Sequence, residues 1–189
     1  LYFSVMNNYF DFMFLLPYLF GSSPICASSS VLQKKPYYLN QLDEHYFIGR
    51  YATSLRMSNL GYHSSKQKKL DISYNSSDNY AVDLIKAMST PHADFSCLRV
   101  HDNANQRQQL NCNILQMENE YYSTIRPKQI INYQERQSCA LLSKGVRYIE
   151  LRVLDVNPFS AIGIDSDTSH FIEALWMTCL LMPPKKYCK

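Results

Sequence analysis

Along residues 145–160, apolar and polar side chains alternate as they do in a β-strand, where successive side chains point to opposite faces. Val146, Tyr148, Glu150 and Arg152 fall on one face; Arg147, Ile149, Leu151 and Val153 fall on the other. Ile149, Leu151 and Val153 form a stripe suited to a core. Glu150 and Arg152 are neighbours on the opposite face, beside Tyr148. A carboxylate and a guanidinium in an apolar strand are costly unless they meet water, each other or a charged ligand.

Other periodicities divide the rest of the chain. Residues 2–20 are apolar almost all round and predict a buried helix, kinked or ended by Pro17. Residues 21–30 are a loop of small residues, 31–49 a connection, and 51–58 a strand entering a turn at 59–62. Ser77 is placed to cap a helix over 78–88 with Val82, Ile85 and Met88 along one side and Pro91 just beyond. Residues 98–109 suggest a polar hairpin around Asp102 and Asn103, and 110–117 a strand. Residues 138–144 predict a short helix ended by Gly145. Asp165 or Ser166 opens a final amphipathic helix to about Met182, stopped by Pro183 and Pro184. Strands interleaved with helices, without regular βαβ units, predict an α+β fold: an antiparallel sheet with flanking helices. Five glycines leave little room for a Gly-rich phosphate loop, and neither nucleotide-binding fingerprint is present.

Composition narrows the function classes. With 46% hydrophobic and 19% charged residues the chain is globular, and 189 residues suffice for one domain with a core. A net charge of +3 is too small to argue for nucleic acid or an anionic membrane. The short lysine clusters, Lys34-Lys35, 66–69 and Lys185-Lys186, fit a solvated surface. The six cysteines form no C-x-x-C motif, and no His-Cys spacing suits zinc, so free thiols in a reducing, cytosolic compartment are expected. The apolar run 9–20 is broken by Asp11 and Pro17 and is shorter than the ~20 residues that cross a bilayer, which favours a core helix over a membrane anchor. The chain starts at Leu1 inside an apolar run and stops at Lys189 just past a helix, as a piece cut at both ends would.

Three groups of residues could carry chemistry. On spacing alone, Glu150 with Arg152 is an exposed ion pair worth ~0–1 kcal/mol or a metal ligand beside a phosphate clamp. In QMENEYYSTIRPK, residues 116–128, Gln116, Glu118 and Glu120 share one face of an extended segment, followed by Tyr121, Tyr122 and Arg126. This is a polar strand end or a site rim. In ATSLRMSNLGY, residues 52–62, Arg56 either packs its stem or binds a substrate carboxylate, next to a Gly61-Tyr62 turn.

Taken together, the blocks PYLFGSSP (17–24), YATSLRMSNLGY (51–62), NILQMENEYYSTIRPK (113–128) and YIELRVLDVNPFSAIGID (148–165) resemble glutamate–cysteine ligase of the γ-proteobacterial type. The resemblance runs from about Tyr9 to Met182. It implies the central part of a single glutamine synthetase-like catalytic domain over residues 1–189, truncated at both ends. It implies the reaction of ATP, L-glutamate and L-cysteine to γ-glutamylcysteine, ADP and phosphate through an acyl-phosphate, the first step of glutathione synthesis, with Mg²⁺ as cofactor. It implies no nucleic acid, membrane or obligate protein partner. Residue by residue, Glu150 corresponds to a Mg²⁺ ligand, and Arg152 to the arginine that holds the transferring phosphoryl group. Arg56 corresponds to a substrate-binding arginine, Tyr62 and Tyr122 to tyrosines of the cysteine pocket, and Arg126 and Lys128 to nucleotide or phosphate contacts. The family's Gly-Leu-Glu-Arg-Glu and His-Tyr-Asn-Phe segments, which supply most metal ligands, are not found in this chain. Two other readings compete: an inactive or decayed fragment of that enzyme, and a small membrane-associated protein using residues 9–20.

Overall fold

The computed structural model describes residues 1–31, 35–67, 70–98, 100–101 and 105–186. Its helices are α1 (Tyr2–Tyr9), α2 (Leu15–Phe20), α3 (Ser77–Ser89), α4 (Ala93–Leu98), α5 (Gln137–Lys144) and α6 (Ser166–Leu181). Five short strands, β1 (Ile25–Ala27), β2 (Leu39–Gln41), β3 (Tyr46–Gly49), β4 (Ile125–Lys128) and β5 (Tyr148–Leu151), form two antiparallel sheets of order β1-β3-β2 and β4-β5. The α+β expectation therefore holds, with two small sheets in place of one.

The core lies between α1, α3, α5, α6 and the inner face of β4-β5. Met6, Tyr9, Leu84, Leu115, Ile125, Leu141, Val153 and Cys179 are buried in it. Helix α1 packs on α6 and α3 on α5. Asn8 at the end of α1 donates its Nδ2 to the Cys179 carbonyl of α6 at 2.8 Å. Tyr9 lies 5.4 Å from Trp176, and Phe10 meets Tyr74 edge-on at 5.0 Å. Such aromatic pairs add about 0.5–1.5 kcal/mol each beyond area burial.

The cap expected for α6 forms: Asp165 accepts from the backbone N–H of Thr168. Helix α3 starts one residue earlier than expected, with Ser76 in place of Ser77 as its cap, accepting from the N–H of Asn79. Gly145 ends α5 at φ +75°, a backbone conformation that L side chains rarely adopt. Cys26, Cys97, Cys112, Cys139 and Cys179 are free thiols; Cys188 lies outside the described residues. Among the described residues no helix is long and apolar enough to cross a membrane.

Other expectations need correction. Residues 2–20 are two helices, not one. The break falls at 10–14, where Asp11 turns out to pair with Lys185. Pro17 does not end a helix; it occupies the first turn of α2, where a missing N–H costs nothing. Helix α2 is not buried all round, because Tyr18 and Leu19 are exposed. In α3 the buried side is Tyr80, Leu84 and Ala87, and Val82 faces solvent. Tyr80, Leu84 and Ala87 form an i, i+4, i+7 stripe, and Met88 from the expected side packs against its edge of the core. Residues 21–49 contain all three strands of the first sheet, too short for alternation to register. Residues 51–58 make only the single bridge Ser23–Ser54. Residues 110–117 form no strand, because the Gln116 side chain takes the Leu110 N–H and the end of α3 takes the Ile114 N–H. Of the hairpin near 102, an antiparallel bridge joins His101 to Arg107; Asp102 and Asn103 lie outside the described residues.

Burial makes the core sensitive to alkali. Tyr9, Tyr74 and Tyr80 are all but inaccessible, and desolvation raises each phenol well above its ordinary value of 10. The folded chain thus holds these protons more tightly than the unfolded chain. Their contribution to stability is complete below about pH 10 and is lost as pH rises from there toward the folded values. The urea midpoint of the chain is expected to begin falling above about pH 10, and to fall less steeply in Tyr80→Phe. A midpoint that stays flat through that range, or the same slope in both chains, would contradict this account.

Candidate active site

Strands β4 and β5 carry three of the candidate residues, Arg126, Lys128 and Glu150. Their register sets Ile125 opposite Leu151, Arg126 opposite Glu150, Pro127 opposite Ile149 and Lys128 opposite Tyr148. Ile125 and Pro127 turn into the core along with Ile149 and Leu151. Val146, ahead of the strand, also packs against the core and does not follow the Glu150 face. Arg126, Lys128 and Glu150 share the other face, and Arg152 follows just past β5, its N–H bound to the Thr124 carbonyl at 2.8 Å. Proline is tolerated in β4 because the sheet has only two strands.

Glu150 is the anionic point of this face. Its Oε2 lies 3.8 Å from both Arg152 Nη1 and Lys128 Nζ, too far for a hydrogen bond. That oxygen is buried and has no hydrogen-bond partner. A buried carboxylate oxygen left without a bond is under-satisfied and suits a cation. Among the described residues no group of three or more His, Cys, Asp or Glu could hold a metal ion. A single carboxylate is compatible with Mg²⁺, which commonly takes one or two carboxylates together with phosphate oxygens and water.

Tyr62 is the hub. Its backbone N–H reaches back to the Arg56 carbonyl, closing a turn. A Cβ on Gly61 would lie 2.3 Å from that same carbonyl, so the turn needs glycine for lack of space. The turn presents the Tyr62 ring to three guanidinium groups. Arg152 stacks over it at 4.7 Å, Arg56 at 5.8 Å, and Arg126 donates to its hydroxyl at 3.0 Å. Arg56 also donates its Nε to the Arg152 carbonyl at 3.0 Å. Tyr122 meets Tyr62 edge-on, with ring centroids 4.6 Å apart. Burial pushes the Tyr62 phenol above its ordinary value, although Arg126 and Arg152 pull it down, so the hydroxyl keeps its proton at neutral pH.

Arg56, Tyr62 and Tyr122 line a cleft of about 630 Å³, whose far wall includes Ser22, Ser23 and Asp155. Asp155 accepts from the Ser22 N–H at 2.9 Å and the Ser23 hydroxyl at 2.7 Å. Stacked guanidinium groups, a neutral phenol and a half-buried carboxylate beside a cleft of this size suit a small anionic ligand. All seven residues singled out from sequence, Arg56, Tyr62, Tyr122, Arg126, Lys128, Glu150 and Arg152, are joined through these contacts.

Three supporting residues escaped the sequence. Asp155 fastens the small-residue loop to the cleft. Gln67 donates to the Glu120 carbonyl at 2.7 Å and accepts from the Tyr122 N–H at 2.9 Å, which fixes Tyr122. The Asn119 carbonyl receives Arg126. Asp155 and Asn119 lie within blocks already singled out; Gln67 does not. Glu118 and Glu120, read as one face of an extended segment, lie instead in a single 3₁₀ turn. Their carboxylates are spent on structure: Glu118 binds the N–H and hydroxyl of Ser138 in α5, and Glu120 accepts from the Gln116 N–H at 2.6 Å.

Fold and site together define an α+β segment in which three arginines and one carboxylate gather around a tyrosine at the edge of a cleft. The family model described as Glutamate-cysteine ligase matches residues 1–189, and the chain belongs to that family. It is 42% identical over 180 residues to a glutamate–cysteine ligase of Azotobacter vinelandii, covering 95% of this chain and 34% of the relative. It is 44% identical over 186 residues to one of Shewanella oneidensis, covering 98% and 35%. The crystal structure of the Francisella tularensis glutamate–cysteine ligase in complex with AMP matches at a TM-score of 0.94 with 55% identity, over 100% of this chain and 37% of that one. A bifunctional glutathione synthetase from Pasteurella multocida shares the fold at a TM-score of 0.63 and 22% identity, over 96% and 18%. The chain spans about a third of the length of the curated relatives it matches.

Proposed function

We propose that these residues are the central part of one catalytic domain that ligates L-cysteine to the γ-carboxylate of L-glutamate at the expense of ATP. The observation that carries the reading is the convergence of Arg56, Arg126 and Arg152 on Tyr62, next to the unsatisfied Glu150 oxygen. Family membership and the AMP complex of the Francisella relative support ATP as co-substrate.

In this reading the γ-carboxylate is phosphorylated by ATP, and the cysteine amine then displaces phosphate from the acyl-phosphate. Arg152 holds the transferring phosphoryl group, where a planar fork matches its oxygens. Arg56 anchors a substrate carboxylate. Tyr62 and Tyr122 form the pocket for cysteine. Lys128 brings positive charge toward the nucleotide. Glu150 contributes one ligand to Mg²⁺, which neutralises phosphate charge when bound. Five free thiols among the described residues support a reducing, cytoplasmic setting.

The test is an ADP-release assay on the full-length protein that contains this segment. Release should require glutamate and cysteine together. The 189-residue chain alone should give none, because a single carboxylate cannot organise metal-bound ATP. Release that ignores cysteine would overturn the substrate assignment. Release by the isolated chain would overturn the claim that its metal site is incomplete.

A further inference from the structure

Arg126 is the least accessible charged residue of the site, at 4% exposure. It stands directly opposite Glu150 across the strand pair, yet the two form no ion pair; Glu150 takes Arg152 and Lys128 instead. The Nη2 of Arg126 is committed twice, to the Tyr62 hydroxyl at 3.0 Å and to the Asn119 carbonyl at 3.1 Å. Its guanidinium carbon lies 5.8 Å from the Tyr121 ring. Its Nε is buried without a partner. With Nη2 committed to protein and Nε buried, this enclosed guanidinium has only Nη1 left to offer a nucleotide.

We infer that Arg126 is a positioning residue: it acts through the Tyr62 phenol, fixing the wall of the pocket that receives the amino-acid thiol substrate, and does not itself bind ATP. The inference rests on the proposed ligase reading and replaces a nucleotide contact with a role in thiol-substrate recognition. The route is short. Arg126 spans from the 3₁₀ turn at Glu118–Glu120 to the Gly61-Tyr62 turn. Tyr122, whose backbone is held by Gln67, packs edge-on against Tyr62 at 4.6 Å, so the ring that Arg126 holds also forms one side of the tyrosine pair. A buried bond to a charged donor holds a ring far more firmly than one made to water.

The test uses Arg126→Met, which keeps the buried stem and removes the fork, beside Tyr62→Phe and the double variant, all in the full-length protein. KM for cysteine is expected to rise about tenfold or more in Arg126→Met, while KM for ATP stays unchanged. The double variant should be no worse than Arg126→Met alone, since both changes break the same bond. A rise in KM for ATP that equals or exceeds the rise for cysteine, or full additivity, would overturn the inference.

A second readout needs no turnover. With ¹³C-labelled tyrosine, the Tyr62 phenol resonance, identified by its loss in Tyr62→Phe, should titrate at higher pH in Arg126→Met, because the cation that favours the phenolate is gone. An unmoved titration would show that Arg126 does not act on Tyr62. If the wild type failed to join glutamate to cysteine, the ligase reading would fall by itself, and the resonance would still decide the Arg126–Tyr62 contact.

Discussion

Arg152→Lys in the full-length protein should lower turnover about 100-fold, the loss typical when one group stabilising transition-state charge is removed. Arg152 is held on three sides. Its N–H is bound to Thr124, its carbonyl accepts from Arg56, and its guanidinium carbon lies over the Tyr62 ring, 4.7 Å from the centroid. Lysine keeps the charge but loses both the plane that stacks on the ring and the fork that meets two oxygens of a phosphoryl group. The defect should appear in kcat, with KM for cysteine little changed, because the lost interaction is strongest as charge develops. Steady-state kinetics of ADP release measure it. Unchanged turnover would remove Arg152 from the phosphoryl site and leave it as a packing partner of Tyr62.

The second large effect is expected from Glu150→Gln. Glutamine has the same shape, so strand β5 and its register with β4 should survive. The negative charge facing Arg152 and Lys128 does not. Loss of a carboxylate ligand should weaken metal binding by at least about 10–100-fold, the range already seen when residues behind a ligand are changed, and turnover should fall with it. Electron paramagnetic resonance of Mn²⁺ with ATP present would read the affinity apart from activity. Wild-type affinity in the variant would mean that the unsatisfied oxygen of Glu150 serves only its two cationic neighbours.

Sequence and structure divide the site unevenly. The alternation of 148–153 was legible because one face of β5 is buried, so Ile149, Leu151 and Val153 had to repeat every second residue; it does not extend back to Val146. The caps at Asp165 and Gly145 were legible because they depend on local backbone chemistry alone. The first sheet was not legible. Its strands are three or four residues long, and Ile25 and Tyr46 are exposed, so no burial pattern marks them. The reading of Glu118 and Glu120 as part of a site rim fades for a similar reason: what their carboxylates bind is decided by Ser138 and by the turn itself.

The sequence by itself determined the family, the seven residues of interest and the strand that carries Glu150 and Arg152, since blocks of residue types in fixed order and a period of two are properties of the chain alone. The tertiary structure alone decided that Arg126 faces Glu150 without pairing with it and turns to Tyr62, 64 positions away in sequence, and that Arg56 reaches the Arg152 carbonyl across 96. Such contacts depend on how separate segments pack around one core. No local pattern of residues encodes that distance, and it is at those contacts that a row of charges becomes a site.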